Sequence, residues 1–202
     1  MTKFLDRAYD ADAPDPQEFY ADWAATYETE MGENGYATPP RCAAALAEFA
    51  DDQSAHVIDI GCGTGLSGAA LRGAGFPVVD GWDPSAEMLE RARPKGIYRN
   101  LVQTDPAAPF EATEGTYANA MAAGVLSPGL APPESLDQVL AFLPVGGCFS
   151  FSLNDHAIAD GAHVGRINEL LEACVCDLLF REYGEHMPGN DMKSWVYVLR
   201  KR

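Results

Sequence analysis

The stretch Val57-Ile58-Asp59-Ile60-Gly61-Cys62-Gly63-Thr64-Gly65-Leu66-Ser67-Gly68, VIDIGCGTGLSG, decides how the chain is read. Its short apolar opening, β-branched at Val57, Ile58 and Ile60, predicts a buried strand. The glycines predict a tight turn, and a helix begins after them. Glycine carries no side chain to hold a ligand off, so such a turn lets one approach the backbone closely.

Downstream, strands and helices alternate. Strands are predicted at His56–Ile60, Pro77–Trp82, Ile97–Gln103, Tyr117–Ala122 and Cys148–Leu153, with two more near Asp177–Tyr183 and Ser194–Arg200. Helices are predicted at Gly65–Ala74, closed by Gly75, at Pro84–Arg93, at Pro132–Leu143 and around His163–Cys174. In the third of these, Leu136, Val139, Leu140 and Leu143 share one face. Alternation of this kind predicts an α/β fold with a parallel sheet covered on both faces. The last two strands are separated only by Gly184–Lys193, too short for a helical crossover, so they should pair antiparallel at one edge. A doubly wound, mostly parallel sheet of seven strands with an antiparallel C-terminal edge follows.

Upstream, the first fifty residues read as a helical cap, with the sheet domain over residues 51–202. Pro16 to Met31 sets Phe19, Tyr20, Trp23, Tyr27 and Met31 on one helical face. Gly32-Glu33-Asn34-Gly35 breaks that helix, and Pro39-Pro40 opens a second one.

The chain has 202 residues, 30 acidic against 14 basic, and a formal net charge of −16. Nucleic-acid binding needs cations that neutralise phosphates, so this balance argues against such a partner and for a small molecule. The local group Arg91, Arg93, Lys95 and Arg99 reads as a helix end favoured by the dipole. No run approaches the roughly 18 apolar residues of a membrane span. The opening residues lack the apolar core of a signal peptide, and the five cysteines form no CxxC pair. A cytoplasmic protein with reduced thiols is expected, without a membrane partner. Asp155, His156, Asp160 and His163 lack familiar ligand spacing, so no metal site is expected. Nothing in the sequence sets the oligomeric state.

In doubly wound sheets the ligand sits outside the carboxyl ends of the strands, where strand order reverses. The glycine turn lies there, as does Asp83 at the end of the second strand, twenty residues after Gly63. An acid at that place can accept hydrogen bonds from a ribose diol. Gly63, Gly65 and Gly68 satisfy the dinucleotide pattern GxGxxG, while Asp59, Gly61, Gly63 and Gly65 satisfy acid-x-Gly-x-Gly-x-Gly. A carboxylate at Asp59 would repel a pyrophosphate but attract the sulfonium and ammonium of S-adenosylmethionine, directly or through water. A P-loop is excluded, since no Gly-Lys-Ser/Thr follows the glycines.

With these residues in view, 57–153 resemble the class I S-adenosylmethionine-dependent methyltransferases, whose sheet is Rossmann-like. The likeness includes the glycine turn, Asp83, Pro84–Leu89, Gln103-Thr104-Asp105 and Leu143-Pro144-Val145-Gly146-Gly147. Ala123–Gly129, Lys95–Tyr98 and Ser194–Val198 further resemble the Williams–Beuren-region methyltransferase-like proteins. The resemblance implies that Gly61, Gly63 and Gly65 pass under the methionine and ribose, and that Asp83 grips the ribose hydroxyls. It places Asp105 on the adenine amine, with Thr104 beside it and Met88 on the ring. Ala122 and Ala123 would present backbone to the methionine end. Pro84 departs from the family, which usually has an aliphatic residue there.

Tyr20, Trp23 and Tyr27 are candidates for capping cofactor and substrate, since an aromatic face near a sulfonium favours positive charge. His156, after the fifth strand, and His186, in the last loop, are the candidate general bases. No Asn/Asp-Pro-Pro-aromatic signature of amino-group methyltransferases follows the fourth strand; Ser127-Pro128-Gly129 stands there. The implied activity is methyl transfer from S-adenosylmethionine to a small molecule, leaving S-adenosylhomocysteine, with the methylated atom open. The alternatives are a cofactor-binding module without catalysis and an NAD-binding oxidoreductase. The second is disfavoured by Asp59 and by the lack of a Tyr-x-x-x-Lys pair.

Overall fold

The structure, a computed structural model, describes residues 4–7, 15–108, 110 and 112–202. Residues 1–3 and 8–14 of the N-terminal segment therefore lie outside the described residues. Among the described residues the elements run α1 (Phe4–Arg7), α2 (Pro16–Trp23), α3 (Tyr27–Glu33), α4 (Thr38–Phe49), β1 (Val57–Ile60) and α5 (Leu66–Gly73). Next come β2 (Val79–Asp83), α6 (Ala86–Ala92), β3 (Leu101–Gln103), β4 (Asn119–Ala122), α7 (Ser135–Phe142) and β5 (Cys148–Asn154). The chain closes with α8 (Asp155–Asp160), α9 (Ala162–Glu172), β6 (Cys176–Met187) and β7 (Met192–Lys201).

The seven strands form one sheet in the order β3-β2-β1-β4-β5-β7-β6. The first five are parallel to one another, and β7 runs antiparallel to both β5 and β6. Strand order reverses between β1 and β4. Every residue of β1, β2, β4 and β5 is buried, as a sheet covered on both faces requires. Alternate residues face opposite layers. Ile58, Ile60, Ala120 and Phe149 join the core with Leu136, Leu140 and Ile167 of α7 and α9. Val57, Val79 and Met121 join Cys42, Leu46 and Leu71 of α4 and α5 on the other side. Thus α4, although N-terminal to the glycine turn, is one of the helices that cover the sheet.

Four local expectations change. The helix expected over Pro16–Met31 is two helices, α2 and α3, separated by a turn at Ala24–Thr26. The unbroken aromatic spacing conceals that break. The third strand is only Leu101–Gln103, because Tyr98 and Arg99 turn their side chains inward to Asp59 and Asp80 rather than alternating along a strand. Asp80 gathers Arg99 (Nη2 to Oδ2, 2.5 Å), the Asn100 amide and the Tyr117 hydroxyl, which fixes residues 98–100. The final hairpin is longer than expected, its strands joined by a 3₁₀ turn at Pro188–Asn190, so His186 lies in β6 and not in a loop. Finally, α8 begins directly at Asp155, capped by the Asn154 side chain.

Candidate cofactor and acceptor site

A cavity of about 600 Å³ opens at the carboxyl ends of β1, β2 and β4. That is within the range of small-molecule sites, roughly 300–1,000 Å³. The glycine turn and the end of β2 meet there. One Asp83 oxygen accepts from the Gly63 amide at 2.8 Å, and the other accepts from the Ser85 amide at 2.9 Å. The carboxyl thereby ties the turn after β1 to the turn after β2. Burial pushes its pKa up to about 6, against the opposing pull of those two amides.

The glycines divide by what they touch. Gly61 and Gly63 border the cavity. A side chain on Gly61 would lie 2.3 Å from Val125 Cγ2, at a φ of +65°. A Cβ on Gly68 would fall 2.3 Å from the Tyr98 hydroxyl and ring. Gly65, the residue before α5, also backs onto Tyr98 and is not part of the wall. The third glycine of the apparent GxGxxG pattern thus makes room for a tyrosine, not for a pyrophosphate.

The other expected residues are placed unevenly. Met88, Thr104 and Ala123 border the cavity, as do Tyr20 and Tyr27. Trp23 does not; it is buried behind them, its ring 4.8 Å from Tyr27 edge-on and 5.7 Å from Tyr20 in a stacked pose. Ala122 is fully buried behind Ala123. Asp105 is exposed, and its Oδ1 accepts from the Ala107 amide at 2.9 Å, so it forms the turn that presents Thr104 and Pro106. Asp59 is fully buried and outside the wall. Its Oδ2 accepts from Ser67 at 2.6 Å and from Tyr98 at 2.7 Å, while Oδ1 finds no partner. Burial raises its pKa to about 7, the two hydroxyl donors opposing. Direct attraction of a ligand by Asp59, and contact of Gly65 with one, are therefore corrected: both serve the packing of the turn.

Neither candidate base reaches the cavity. His156 is exposed on α8. His186 is buried, with Nδ1 2.7 Å from the Thr38 hydroxyl and its ring 5.3 Å from Tyr36. Desolvation lowers its pKa to about 4, so it is neutral at pH 7. Of the considered metal set, Asp155 instead accepts from Tyr183 and the Lys193 amide, and His163 bonds the Ala131 carbonyl at 3.0 Å.

That last bond helps build the far wall, which sequence reasoning did not find. Val125, Leu130, Pro132, Ser135 and Gln138 border the cavity from the segment after β4. Ala131 bridges back to Leu126 and Ser127, and His163 holds its carbonyl. Ser127-Pro128-Gly129 was the one visible signal of this turn. Gln17, at the start of α2, reaches the Pro84 carbonyl at 3.4 Å and brings the N-terminal helices over the cavity. The Lys95–Glu28 ion pair does the same from α3.

Comparison with known proteins gives the family and the fold. A family model described as a methyltransferase domain matches residues 35–195. Methyltransferase-like protein 27 of Homo sapiens is 33% identical over 131 residues, covering 63% of this chain and 54% of that protein. A trans-aconitate 2-methyltransferase of Paracidovorax citrulli is 36% identical over 118 residues, covering 55% of this chain and 43% of that protein. The chain thus spans about half the length of the curated relatives it matches. Among solved structures, magnesium protoporphyrin IX methyltransferase from Synechocystis PCC 6803 with bound SAM superposes with a TM-score of 0.66 at 16% identity, covering 99% of this chain and 97% of that one. The DhpI–SAH complex superposes with a TM-score of 0.64 at 20% identity, covering 92% and 94%. These structural likenesses establish the shared fold.

Proposed function

The chain belongs to the methyltransferase-domain family, and from that premise we propose that it transfers a methyl group from S-adenosylmethionine to a small molecule. The observation that carries this reading is Asp83, which holds the Gly63 amide within the cavity wall while Met88 and Thr104 stand beside it. The residues present fit the cofactor. Each carboxylate oxygen can accept more than one hydrogen bond, so Asp83 can take a ribose diol while it keeps its two amides. Gly61 and Gly63 leave backbone bare beneath it, Met88 and Pro84 offer apolar surface to the base, and Ala123 borders the methionine end. Bound there, S-adenosylmethionine would supply a methyl group already activated on sulfur. The protein then has to orient the acceptor and exclude water. We assign that task to Tyr20 and Tyr27, held by Trp23, so the cap narrows to α2 and α3.

A small-molecule acceptor is supported by the cavity itself, walled by N-terminal helices on one side and the Val125–Pro132 segment on the other. No histidine, lysine or arginine among the described residues borders it, and its titratable groups are Asp15, Asp83, Tyr20 and Tyr27. The bacterial relatives' name raises a tricarboxylate, trans-aconitate, as one acceptor to weigh. The test uses methyl-labelled S-adenosylmethionine, the purified chain and a size-fractionated cell extract. Label in the low-mass fraction, lost with Asp83→Ala, is the expected result. Label confined to protein or RNA would contradict the small-molecule reading.

A further inference from the structure

The described wall of the cavity carries no positive side chain, and the surface left for an acceptor is apolar. Tyr20, Tyr27, Val125, Leu130 and Pro132 supply aromatic and aliphatic surface there, and the acidic groups of the wall are Asp15 at the start of α2 and Asp83. Of the basic side chains on nearby elements, Lys95 pairs with Glu28, Arg41 bonds Ser194 and Glu182, Arg166 pairs with Asp137 and Arg7 lies over the Phe19 ring, while Arg91 of α6 stays outside the wall. The whole chain carries a formal −16, so the surrounding field has the same sign as the wall.

A carboxylate entering such a cavity loses its hydration and meets no compensating cation among the described residues of the wall, only like charge. A neutral apolar molecule loses little, and a cation gains from Asp15 and from the faces of the tyrosines. The wall is drawn from two parts of the chain: α2 and α3 precede the residues that the family model matches, while Val125, Leu130 and Pro132 lie within them.

We infer that the acceptor is an apolar molecule that is uncharged or cationic, and that polycarboxylates such as trans-aconitate are rejected. This rests on reading the cavity as a methyl-transfer site. The two are separated by saturating the full chain with S-adenosylhomocysteine first, with uptake followed by calorimetry. Ligand-observed NMR then compares fragments of matched size, one set of carboxylates including trans-aconitate, the other of neutral and amine-bearing aromatics including tyramine. The aromatics should bind, and the carboxylates should bind at least about tenfold more weakly. The variant Leu130→Arg, at a residue already 38% exposed, should narrow that gap without disturbing the core. Carboxylates binding as well as the aromatics, or neither set binding a chain that has taken up S-adenosylhomocysteine, overturns the inference alone. Failure of S-adenosylhomocysteine to bind overturns both.

Discussion

At Asp83 the backbone amides of Gly63 and Ser85 take one carboxylate oxygen each, so two turns and a ligand share a single side chain. The carboxyl titrates near 6 in the free protein. Hydroxyl donors bind the carboxylate better than the acid, so S-adenosylhomocysteine affinity should fall as pH drops from 7 to 5, and Asp83→Asn should abolish that dependence; calorimetry at the two pH values checks it. Asp59 behaves oppositely to an ordinary surface acid. Its folded pKa, near 7, lies above the usual 3.8, so the folded chain holds its proton more tightly and stability declines as pH rises between those values. Asp59→Asn, which can still accept from Ser67 and Tyr98, should flatten melting temperature against pH over that range. A variant with the wild-type slope would remove Asp59 from the explanation.

At the scale of elements, the turn between β1 and α5 is packed from behind by Tyr98, whose hydroxyl accepts from the Gly68 amide at 3.1 Å and donates to Asp59. Gly68→Ala should cost about 1–3 kcal/mol by overpacking, read by denaturant unfolding, with the loss smaller in a Tyr98→Leu background. The glycine spacing was legible in the sequence, but the partner of Gly68 was not, because Tyr98 stands thirty residues on in a segment that looked like strand. Similarly, Gly184–Met187 reads in the sequence as part of a loop, with Gly184 looking like a turn. The Arg41 guanidinium lies against Gly184, at 2.9 Å from where its Cβ would be, so the glycine marks a close approach and the strand continues to His186. His186 joins Thr38 of α4 to β6, and its folded pKa near 4 lies below the usual 6.5. The His186 contribution to stability should therefore fall as pH drops from 6.5 to 4, where the unfolded chain binds the proton first, opposite in sign to that of Asp59, and the cost of His186→Gln in thermal melts should shrink over that range.

Over the whole molecule, the doubly wound sheet with its antiparallel edge was readable because buried parallel strands are apolar throughout and the last two strands lack a crossover. What the sequence could not supply was the far wall of the cavity, which depends on tertiary contacts such as His163 to Ala131 and the lay of α2 over Pro84. The cofactor site follows local spacing and was legible at Gly61, Gly63 and Asp83; the acceptor site follows packing and was not. The central claim is that the Gly63–Asp83 junction binds a ribose-bearing sulfur cofactor and no dinucleotide. Calorimetric titration of the wild type and Asp83→Ala with S-adenosylhomocysteine and with NAD tests it most directly. Binding of S-adenosylhomocysteine alone, weakened at least about tenfold in the variant, is the predicted result. Binding of NAD in its place, or equal binding of S-adenosylhomocysteine by both proteins, would contradict it.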